Sequence, residues 1–321
     1  MRPLVRAAGG HLQENSDGSW PLAKRFGDAR DWFFANRLGL SIGWGLYSIP
    51  GWHPQHQLRA RVSREEYSRL AQYWNPISFE PNAWLDLAQQ VGMKYVCFTA
   101  KHHDGFCLWD TKLTSYNTMN TPCGKDIVGM LADACQRRSV PLCLYYSIAD
   151  WHQPDYPIRL NELSPQTGEH SDPDKYVELV KGQIRELCTS YGPIHGIWWD
   201  MNQPQYVDPS ISQMIRQLQP AAVINNRGFD AGDFDTPERG SDAEQTAAFD
   251  RPTEVCSSLG SESWGYRRDA SGGTDDQLIK SIDRCMDRGA NYVLKVGPLP
   301  SGELPPQSVA ALQRLGKRYQ G

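Results

Sequence analysis

The segment Tyr95-Val96-Cys97-Phe98, followed by Lys101-His102-His103-Asp104-Gly105-Phe106, decides the fold class of this chain. A second segment of the same kind occurs later, where Ile194-His195-Gly196-Ile197 leads into Trp198-Trp199-Asp200. Each is a short apolar run that ends in polar side chains. This pattern is typical of the strands of a parallel α/β barrel, whose carboxyl ends hold the active site. The two segments therefore predict a barrel that carries its functional groups at the strand ends.

The rest of the chain supports the same fold class. Strand-like and helix-like segments alternate from residue 38 onward, as in parallel strands joined by crossover helices. A length of 321 residues with 40% apolar residues suits one large core. We predict a single (β/α)8-like TIM barrel over residues 31–321, preceded by an N-terminal extension over residues 1–30. Periodicity fails between Asn226 and Gly273, which we interpret as an active-site loop or a partly disordered segment.

Composition limits the classes of partner and the compartment. The net charge of −4, from 33 basic and 37 acidic residues without long runs, gives no reason to expect nucleic acid or a membrane as a partner. The N-terminus lacks the apolar region of a secretory signal, so we expect a cytoplasmic protein, or a secreted one if the chain was trimmed. The eight cysteines are scattered without a Cys-x-x-Cys pair, which favours reduced thiols and argues against a thiolate zinc site.

Asp200 is the first candidate for catalysis. It follows two tryptophans at the end of an apolar strand, where a carboxylate could attack the anomeric carbon of a sugar that packs on the indole rings. An ordinary loop or helix-capping aspartate is the alternative interpretation. A retaining glycosidase also needs a proton donor, and Glu238 and Glu254 qualify by position, although either could be an ordinary loop carboxylate.

His102 and His103 are candidates for substrate binding. Adjacent residues of an extended segment point to opposite sides, so both rings can enter one pocket only through a turn or bulge. Gly105 permits such an irregular backbone. The rings could bind substrate hydroxyls or a metal ion, or one could be structural while the other faces solvent.

The motifs together resemble those of the retaining α-L-fucosidases, a family of glycoside hydrolases with a catalytic (β/α)8-like barrel. The resemblance runs from about Asp31 to Gly316. The segments that carry it are Leu38–Ser48, Lys101–Phe106, Leu144–Ser147, Trp151–Tyr156, Trp198–Asp200, Asn225–Arg227, Gly232–Glu238, Ser263–Tyr266 and Asn291–Pro298.

The resemblance implies roles for individual residues. It makes Asp200 the nucleophile and His102 and His103 hydrogen-bond donors to the sugar, and it favours Glu238 over Glu254 as acid/base. It implies no metal and no cofactor, and a fucosylated glycan as substrate. The other substrate-binding residues that it implies are Tyr146 near the nucleophile, Arg227 as an orienting cation, and Trp44, Trp198 and Trp264.

Several departures from the family's pattern concern the sugar pocket. Gly43 stands where members of the family carry a sugar-binding histidine at the end of the first strand, and Lys295 replaces a usual asparagine. The family's Glu-Trp pair has no match after Gly51, so His53 or His56 could reach into the space that Gly43 leaves. The chain also lacks the family's usual C-terminal β-sandwich.

These departures leave alternatives open. One is a hydrolase that acts on a related 6-deoxy or galacto-configured sugar. Another is a barrel that binds carbohydrate without turnover. Metal-dependent hydrolysis is a more remote alternative, and a homo-oligomer whose second subunit completes the active site is compatible with the sequence.

Overall fold

The computed structural model describes residues 23–156, 171–202, 205–238, 249–259, 263–270 and 275–319. Seven parallel strands form one sheet in the order β5-β4-β3-β2-β1-β7-β6. The strands are β1 (Leu38–Ile42), β2 (Tyr95–Lys101), β3 (Leu142–Ser147), β4 (Gly196–Asp200), β5 (Val223–Ile224), β6 (Glu254–Ser258) and β7 (Asn291–Val296). The α-helices are α1 (Trp32–Ala35), α2 (His56–Arg59), α3 (Arg64–Ser68), α4 (Pro81–Val91), α5 (Ile127–Arg137), α6 (Pro173–Ser190), α7 (Pro209–Leu218), α8 (Asp275–Asp287) and α9 (Pro306–Tyr319).

An irregular extended segment, residues 234–238, closes the sheet between β5 and β6. It forms parallel bridges to Asn225 on one side and to Thr253 and Cys256 on the other. Its backbone bonds include the N–H of Cys256 donating to the carbonyl of Pro237 at 3.1 Å. The segment thus takes the place of an eighth strand, and the predicted (β/α)8-like barrel is confirmed.

Side-chain alternation along the strands separates two cores. One set of positions fills the inside of the barrel, and the residues between them pack under the surrounding helices. Phe33 of α1 joins the inner set with 1% of its surface exposed, and the side chain of Asn291 at the start of β7 donates to its carbonyl at 2.7 Å. Helix α1 therefore covers the amino end of the barrel and leaves the carboxyl end for a ligand.

Local sequence explains how the helices reach the sheet. Helix α4 begins with Pro81 after a Glu80 side chain that caps Asn82, and it ends at Gly92 in the left-handed conformation. Asp126 caps α5 by accepting from the N–H of Gly129 at 2.7 Å. These capped ends fix the residues at which the helices begin and end, and so the points from which the chain continues toward the next strand. Helices α4 and α5 lie between successive strands, as the alternation of helix-like and strand-like segments predicted.

The interpretation of residues 226–273 was wrong in part. Strand β6 and the extended segment 234–238 both lie within this stretch, which the failed periodicity assigned to a loop or to disorder. Strand β6 is only five residues long and carries Glu254, Ser257 and Ser258 among its buried residues, so no apolar run marks it. The predicted boundary at residue 31 stays a prediction.

Two further properties follow from the described residues. No disulfide bond joins the cysteines of the described residues, and seven of the eight are buried, as expected for reduced thiols. None of the helices described is long and apolar enough to cross a bilayer.

Candidate active site

A cavity of about 220 Å³ opens at the carboxyl ends of the strands. It contains the predicted nucleophile and several of the predicted sugar contacts, so the two segments that predicted the barrel do meet at one end of it. Its lining residues are His53, Pro54, Gln55, His102, His103, Tyr145, Trp198, Asp200, Met201, Arg227, Glu238, Cys256, Trp264 and Lys295.

Asp200 ends β4 and is held by three hydrogen bonds. The Tyr145 hydroxyl donates to its Oδ2 at 2.6 Å, while Arg227 Nη1 and the backbone N–H of Met201 donate to Oδ1 at 3.2 and 2.9 Å. Donors on both oxygens fix the rotamer of the carboxylate and stabilise its charged form. Because β4 ends here, no further strand residue covers the group on the side of the cavity.

Burial by itself would raise the pKa of Asp200, but His103, Arg227 and the Tyr145 hydrogen bond outweigh burial and hold the pKa below its usual value. Burial also lowers the pKa of His103 to about 4, so this ring is neutral at pH 7. At neutral pH the stabilisation of the Asp200 charge therefore falls to Arg227, Tyr145 and Lys295. The aspartate is ionised, which is the state that a nucleophile requires.

His102 and His103 both line the cavity, so the backbone that carries them cannot be a regular extended strand. The register between β2 and β3 shifts between Thr99 and Lys101, and Gly105 has a φ of 78°, which favours glycine. The shift and the turn bring the rings of His102 and His103 to a centroid separation of 3.9 Å on the same side. The predicted irregular backbone is confirmed.

The hydrogen bonds of His103 define how it can contact a sugar. The Ser147 hydroxyl donates its one hydrogen to the carbonyl of Ala149 at 2.7 Å, so His103 Nδ1, 2.7 Å from the Ser147 oxygen, must carry the donated proton. Its Nε2 then presents a lone pair to the cavity, 3.9 Å from Asp200 Oδ2. In this tautomer His103 Nε2 can accept a hydrogen bond but cannot donate one, whereas the resemblance implied a donor.

A buried ion pair next to His102 and His103 holds the backbone of these two residues in place. Lys101 is fully buried, and its Nζ lies 2.9 Å from Asp150 Oδ2 and 4.3 Å from the ring centroid of Tyr146. The second oxygen of Asp150 accepts from the backbone N–H groups of His152 and Gln153. The pair ties the end of β2 to the loop after β3, which fixes the backbone that carries both histidines.

Arg227 connects the two acidic residues of the cavity. Its Nη1 donates to Glu238 Oε1 at 2.6 Å and to Asp200 Oδ1 at 3.2 Å, and its guanidinium carbon lies 5.2 Å from the ring centroid of Trp198. The side chain of Glu238 is 44% exposed and ends the extended segment 234–238. Arg227 thus contacts both Asp200, the predicted nucleophile, and Glu238, while its predicted role as an orienting cation stays a prediction.

Glu254 does not reach this cavity. As the first residue of β6 it lies at the amino end of the barrel, where it is 2% exposed and accepts hydrogen bonds from Tyr95 and from Trp198 Nε1. Burial raises its pKa to about 7. The Trp198 indole separates it from the cavity, so its prediction as a second acid/base candidate was wrong.

Three predicted substrate contacts lie elsewhere. Tyr146 points away from the barrel interior, and its hydroxyl donates to Gln183 of α6. Trp44 is fully buried among other aromatic rings and donates to the carbonyl of Leu299 at 3.0 Å. The ring of His56 packs 5.6 Å from the Trp52 ring. The predictions for Tyr146 and Trp44 were wrong. His56 is not among the residues that line the cavity, and its contact with a substrate stays a prediction, whereas His53, Trp198 and Trp264 do line the cavity.

The structure adds residues that sequence reasoning missed. Tyr145 occupies the position predicted for Tyr146, because strand alternation directs only one of two neighbours inward. Gln55, Met201 and Cys256 also line the cavity. The alternation along β3 was the available signal for Tyr145. No group of three His, Cys, Asp or Glu side chains among the described residues is placed to hold a metal ion.

Comparison with known proteins identifies the family. The alpha-L-fucosidase family model matches residues 11–320. The tissue alpha-L-fucosidase of Rattus norvegicus is 27% identical, over 98% of this chain and 72% of that protein. The solved alpha-L-fucosidase isoenzyme 1 from Paenibacillus thiaminolyticus is 33% identical with a TM-score of 0.83, over 91% of this chain and 76% of its own.

A third relative bears on the reaction. It is a GH29 alpha-L-fucosidase from Bacteroides thetaiotaomicron, solved as a trapped covalent intermediate with 2-fluoro-fucosyl fluoride, with 28% identity and a TM-score of 0.79. The match covers 94% of this chain and 77% of that one. With the fold, the carboxylate-containing cavity and the family match in agreement, the chain belongs to the α-L-fucosidase family of retaining glycoside hydrolases.

Proposed function

We propose that Asp200 is the nucleophile and Glu238 the acid/base of a double displacement that removes α-L-fucosyl residues from fucosylated glycans. The observation that carries this proposal is the shared Arg227 nitrogen. Its distances to the two carboxylates, 3.2 Å and 2.6 Å, add to 5.8 Å, so the contacting oxygens can be no farther apart than that. Retaining glycosidases hold their carboxyl groups roughly 5–5.5 Å apart, and inverting ones farther.

The two steps use these groups in turn. In the first, an Asp200 oxygen bonds to the anomeric carbon, the bond from that carbon to the aglycone oxygen breaks, and Glu238 gives its proton to the departing oxygen. In the second, Glu238 takes a proton from water, the water oxygen bonds to the anomeric carbon, and Asp200 leaves as a carboxylate. The half-exposed Glu238 side chain can turn from Arg227 toward the leaving oxygen.

The altered motif of the first strand belongs to the same proposal. Gly43 follows β1 at the edge of the cavity, and the stem of Lys295 runs close beside it. We infer that the glycone pocket is rebuilt around this pair within the barrel. In support, every residue assigned here to catalysis or sugar binding lies within the barrel and its loops.

Azide products test the nucleophile assignment. Asp200→Gly should lose nearly all hydrolysis of an aryl α-L-fucoside, and azide should restore release of the phenol with formation of the β-L-fucosyl azide. Thermal unfolding of the variant checks that it folds. Unchanged turnover by the folded Asp200→Gly variant would exclude Asp200 as the nucleophile.

A matched pair of variants tests the acid/base assignment. Glu238→Ala should lose roughly 10²- to 10⁴-fold in rate on substrates with poor leaving groups, and azide should give the α-L-fucosyl azide. Glu254→Ala, the same substitution at the amino end of the barrel, should give no azide product. If Glu244→Ala or Glu262→Ala, at positions outside the described residues, gives the α-azide instead, the assignment of Glu238 is wrong.

A further inference from the structure

Lys295 places a positive charge inside the sugar pocket. It is the fifth residue of β7, is 6% exposed and lines the cavity. A Cβ atom built on Gly43 would lie 2.5 Å from Lys295 Cε and 2.5 Å from the carbonyl oxygen of Trp264. The absence of a side chain at position 43 is therefore what allows the lysine stem to pass.

The ammonium group has no acceptor of its own. Among the described residues no carboxylate, carbonyl or hydroxyl is hydrogen-bonded to Lys295 Nζ; its one close partner is the ring of Tyr145, whose centroid lies 4.6 Å away. A cation–π contact offsets only part of the cost of removing an ammonium group from water. A nearly buried cation without an acceptor, facing a cavity, is suited to an acceptor that the ligand brings.

The position of Lys295 restricts which part of the ligand it can meet. The ammonium group of Lys295 lies over the face of the Tyr145 ring, and the hydroxyl of the same tyrosine donates to Asp200 at 2.6 Å. The sugar that reacts at Asp200 therefore lies within one ring width of Lys295. Arg227 and Glu238 reach the cavity from elsewhere, the first from the connection after β5 and the second from the segment 234–238.

We propose that Lys295 determines glycone specificity by donating charge-assisted hydrogen bonds to an oxygen atom of the bound sugar, on the side of the pocket that Gly43 leaves open. This inference rests on the proposed fucosidase function and deepens it. A ring hydroxyl and a sulfate ester on the ring present the same acceptor chemistry, and they differ in charge. The ammonium group would bind either, with a stronger preference for the sulfate.

The variant Lys295→Met keeps the length of the side chain and removes the charge. We expect roughly a 10- to 100-fold loss of kcat/KM on an aryl α-L-fucoside, mostly through KM, because the hydrogen bond forms already in the bound substrate. Lys94→Met, the same change at an exposed position at the amino end of β2, is the control and should leave kcat/KM unchanged. Thermal unfolding should show no loss of stability in Lys295→Met, since it removes an unpaired buried charge.

Modified substrates identify the acceptor. With aryl 2-, 3- and 4-deoxyfucosides, one missing hydroxyl should reduce wild-type activity and add no further loss in Lys295→Met, since both changes remove the same hydrogen bond. With aryl fucosides that carry a sulfate ester, a wild-type preference for the sulfated substrate that disappears in Lys295→Met would identify the sulfate as the acceptor. Additive losses on every substrate would overturn the proposal.

Binding of L-fucose, measured by calorimetry, separates this inference from the proposed function. If Lys295→Met binds L-fucose more weakly than wild type does, the role of Lys295 is supported. This holds even if the wild type hydrolyses no fucoside, a result that would exclude the proposed function and leave the role of Lys295 standing. Equal kcat/KM and equal fucose binding in the two proteins would overturn the inference while leaving the proposed function intact. If Lys295→Met does not fold, Lys295→Leu takes its place with the same expectations, because leucine also lacks a donor.

Discussion

Replacing Tyr145 by phenylalanine should slow one chemical step and spare the other. The substitution removes the hydroxyl that donates to Asp200 Oδ2 at 2.6 Å and keeps the ring, which stacks on Trp198 with a centroid distance of 5.5 Å and an angle of 22°. Burial, together with the Asp200 charge, raises the pKa of Tyr145 well above its usual value, so the hydroxyl remains a donor at any working pH. The perturbation is thus the loss of one hydrogen bond to a charged carboxylate.

The direction of the effect follows from the charge on Asp200. The carboxylate loses its charge when it attacks the sugar and regains it when water displaces it. The Tyr145 bond therefore opposes the first step slightly and assists the second. A hydrogen bond to a charged group contributes about 1.5–3 kcal/mol, which sets an upper limit of about 10- to 150-fold on the second step. With the charge half developed in the transition state, we expect kcat to fall about tenfold.

Pre-steady-state kinetics with an aryl α-L-fucoside that has a good leaving group measure both steps. For Tyr145→Phe we expect a burst of phenol close to one equivalent per active site, a lower kcat, and kcat/KM within a factor of about three of wild type. Trapped glycosyl-enzyme should appear as a mass increase by intact-protein mass spectrometry. A fall in kcat/KM as large as the fall in kcat, without a burst, would refute the assignment of Tyr145 to the departure of Asp200.

Three further predictions concern residues around the site. Glu254→Gln should retain activity, and its stability relative to wild type should rise by about 3 kcal/mol between pH 4.5 and pH 7. The reason is that the buried carboxyl of the folded wild type keeps its proton up to about pH 7, whereas the carboxyl of the unfolded chain ionises near pH 4.5. Denaturant unfolding at several pH values measures the difference, and a difference that does not change with pH would contradict the prediction. Asp150→Asn should lower the free energy of unfolding by about 3–5 kcal/mol, because it leaves Lys101 buried without its counter-ion. Asp86→Asn, on the exposed side of α4, should lower it by less than about 1 kcal/mol. Equal losses in the two variants would refute the role of the buried pair. Gly105→Ala should lower both the melting temperature and kcat/KM, because the φ of Gly105 is 78° and the added Cβ would lie 2.1 Å from Asp150 Oδ1. Wild-type values of both quantities would show that this backbone position does not require glycine.

The strand ends were the part of the site that the sequence could predict. Each of the two opening segments combines an apolar run with polar residues after it, and a parallel barrel brings all such ends to one face. Asp200, His102 and His103 therefore met in one cavity without any knowledge of loop conformations. Arg227 follows β5 in the chain, Glu238 lies on the extended segment 234–238 beside β5, and the family's motifs located both.

The errors at Tyr146 and Glu254 have one physical origin. A strand residue faces the cavity only if both its parity and its height in the barrel are right. Tyr146 has the wrong parity, since its neighbour Tyr145 faces inward. Glu254 faces inward but lies at the wrong end. The sequence of a short buried strand such as β6 fixes neither property, because nothing in Glu254–Ser258 marks where the strand begins.

Gly43 and Lys295 show a different limit of sequence reasoning. Each departure from the family's pattern is visible alone, but the positions are far apart in the chain. Their contact depends on β1 and β7 being paired, with Ser41 opposite Lys295 in the register. Only then does the missing side chain at one position make room for the long side chain at the other. Two unexplained departures thus become one coupled change.

Arg227 contacts one negatively charged carboxylate at each stage of the proposed reaction. Before attack, Asp200 carries the negative charge and Glu238 the proton; in the covalent intermediate, Asp200 is a neutral ester and Glu238 is the carboxylate. The same guanidinium nitrogen contacts both residues, at 3.2 and 2.6 Å, so each state has one negative charge against one Arg227. Arg227 therefore serves both halves of the cycle, because it pairs with whichever of the two carboxylates is charged.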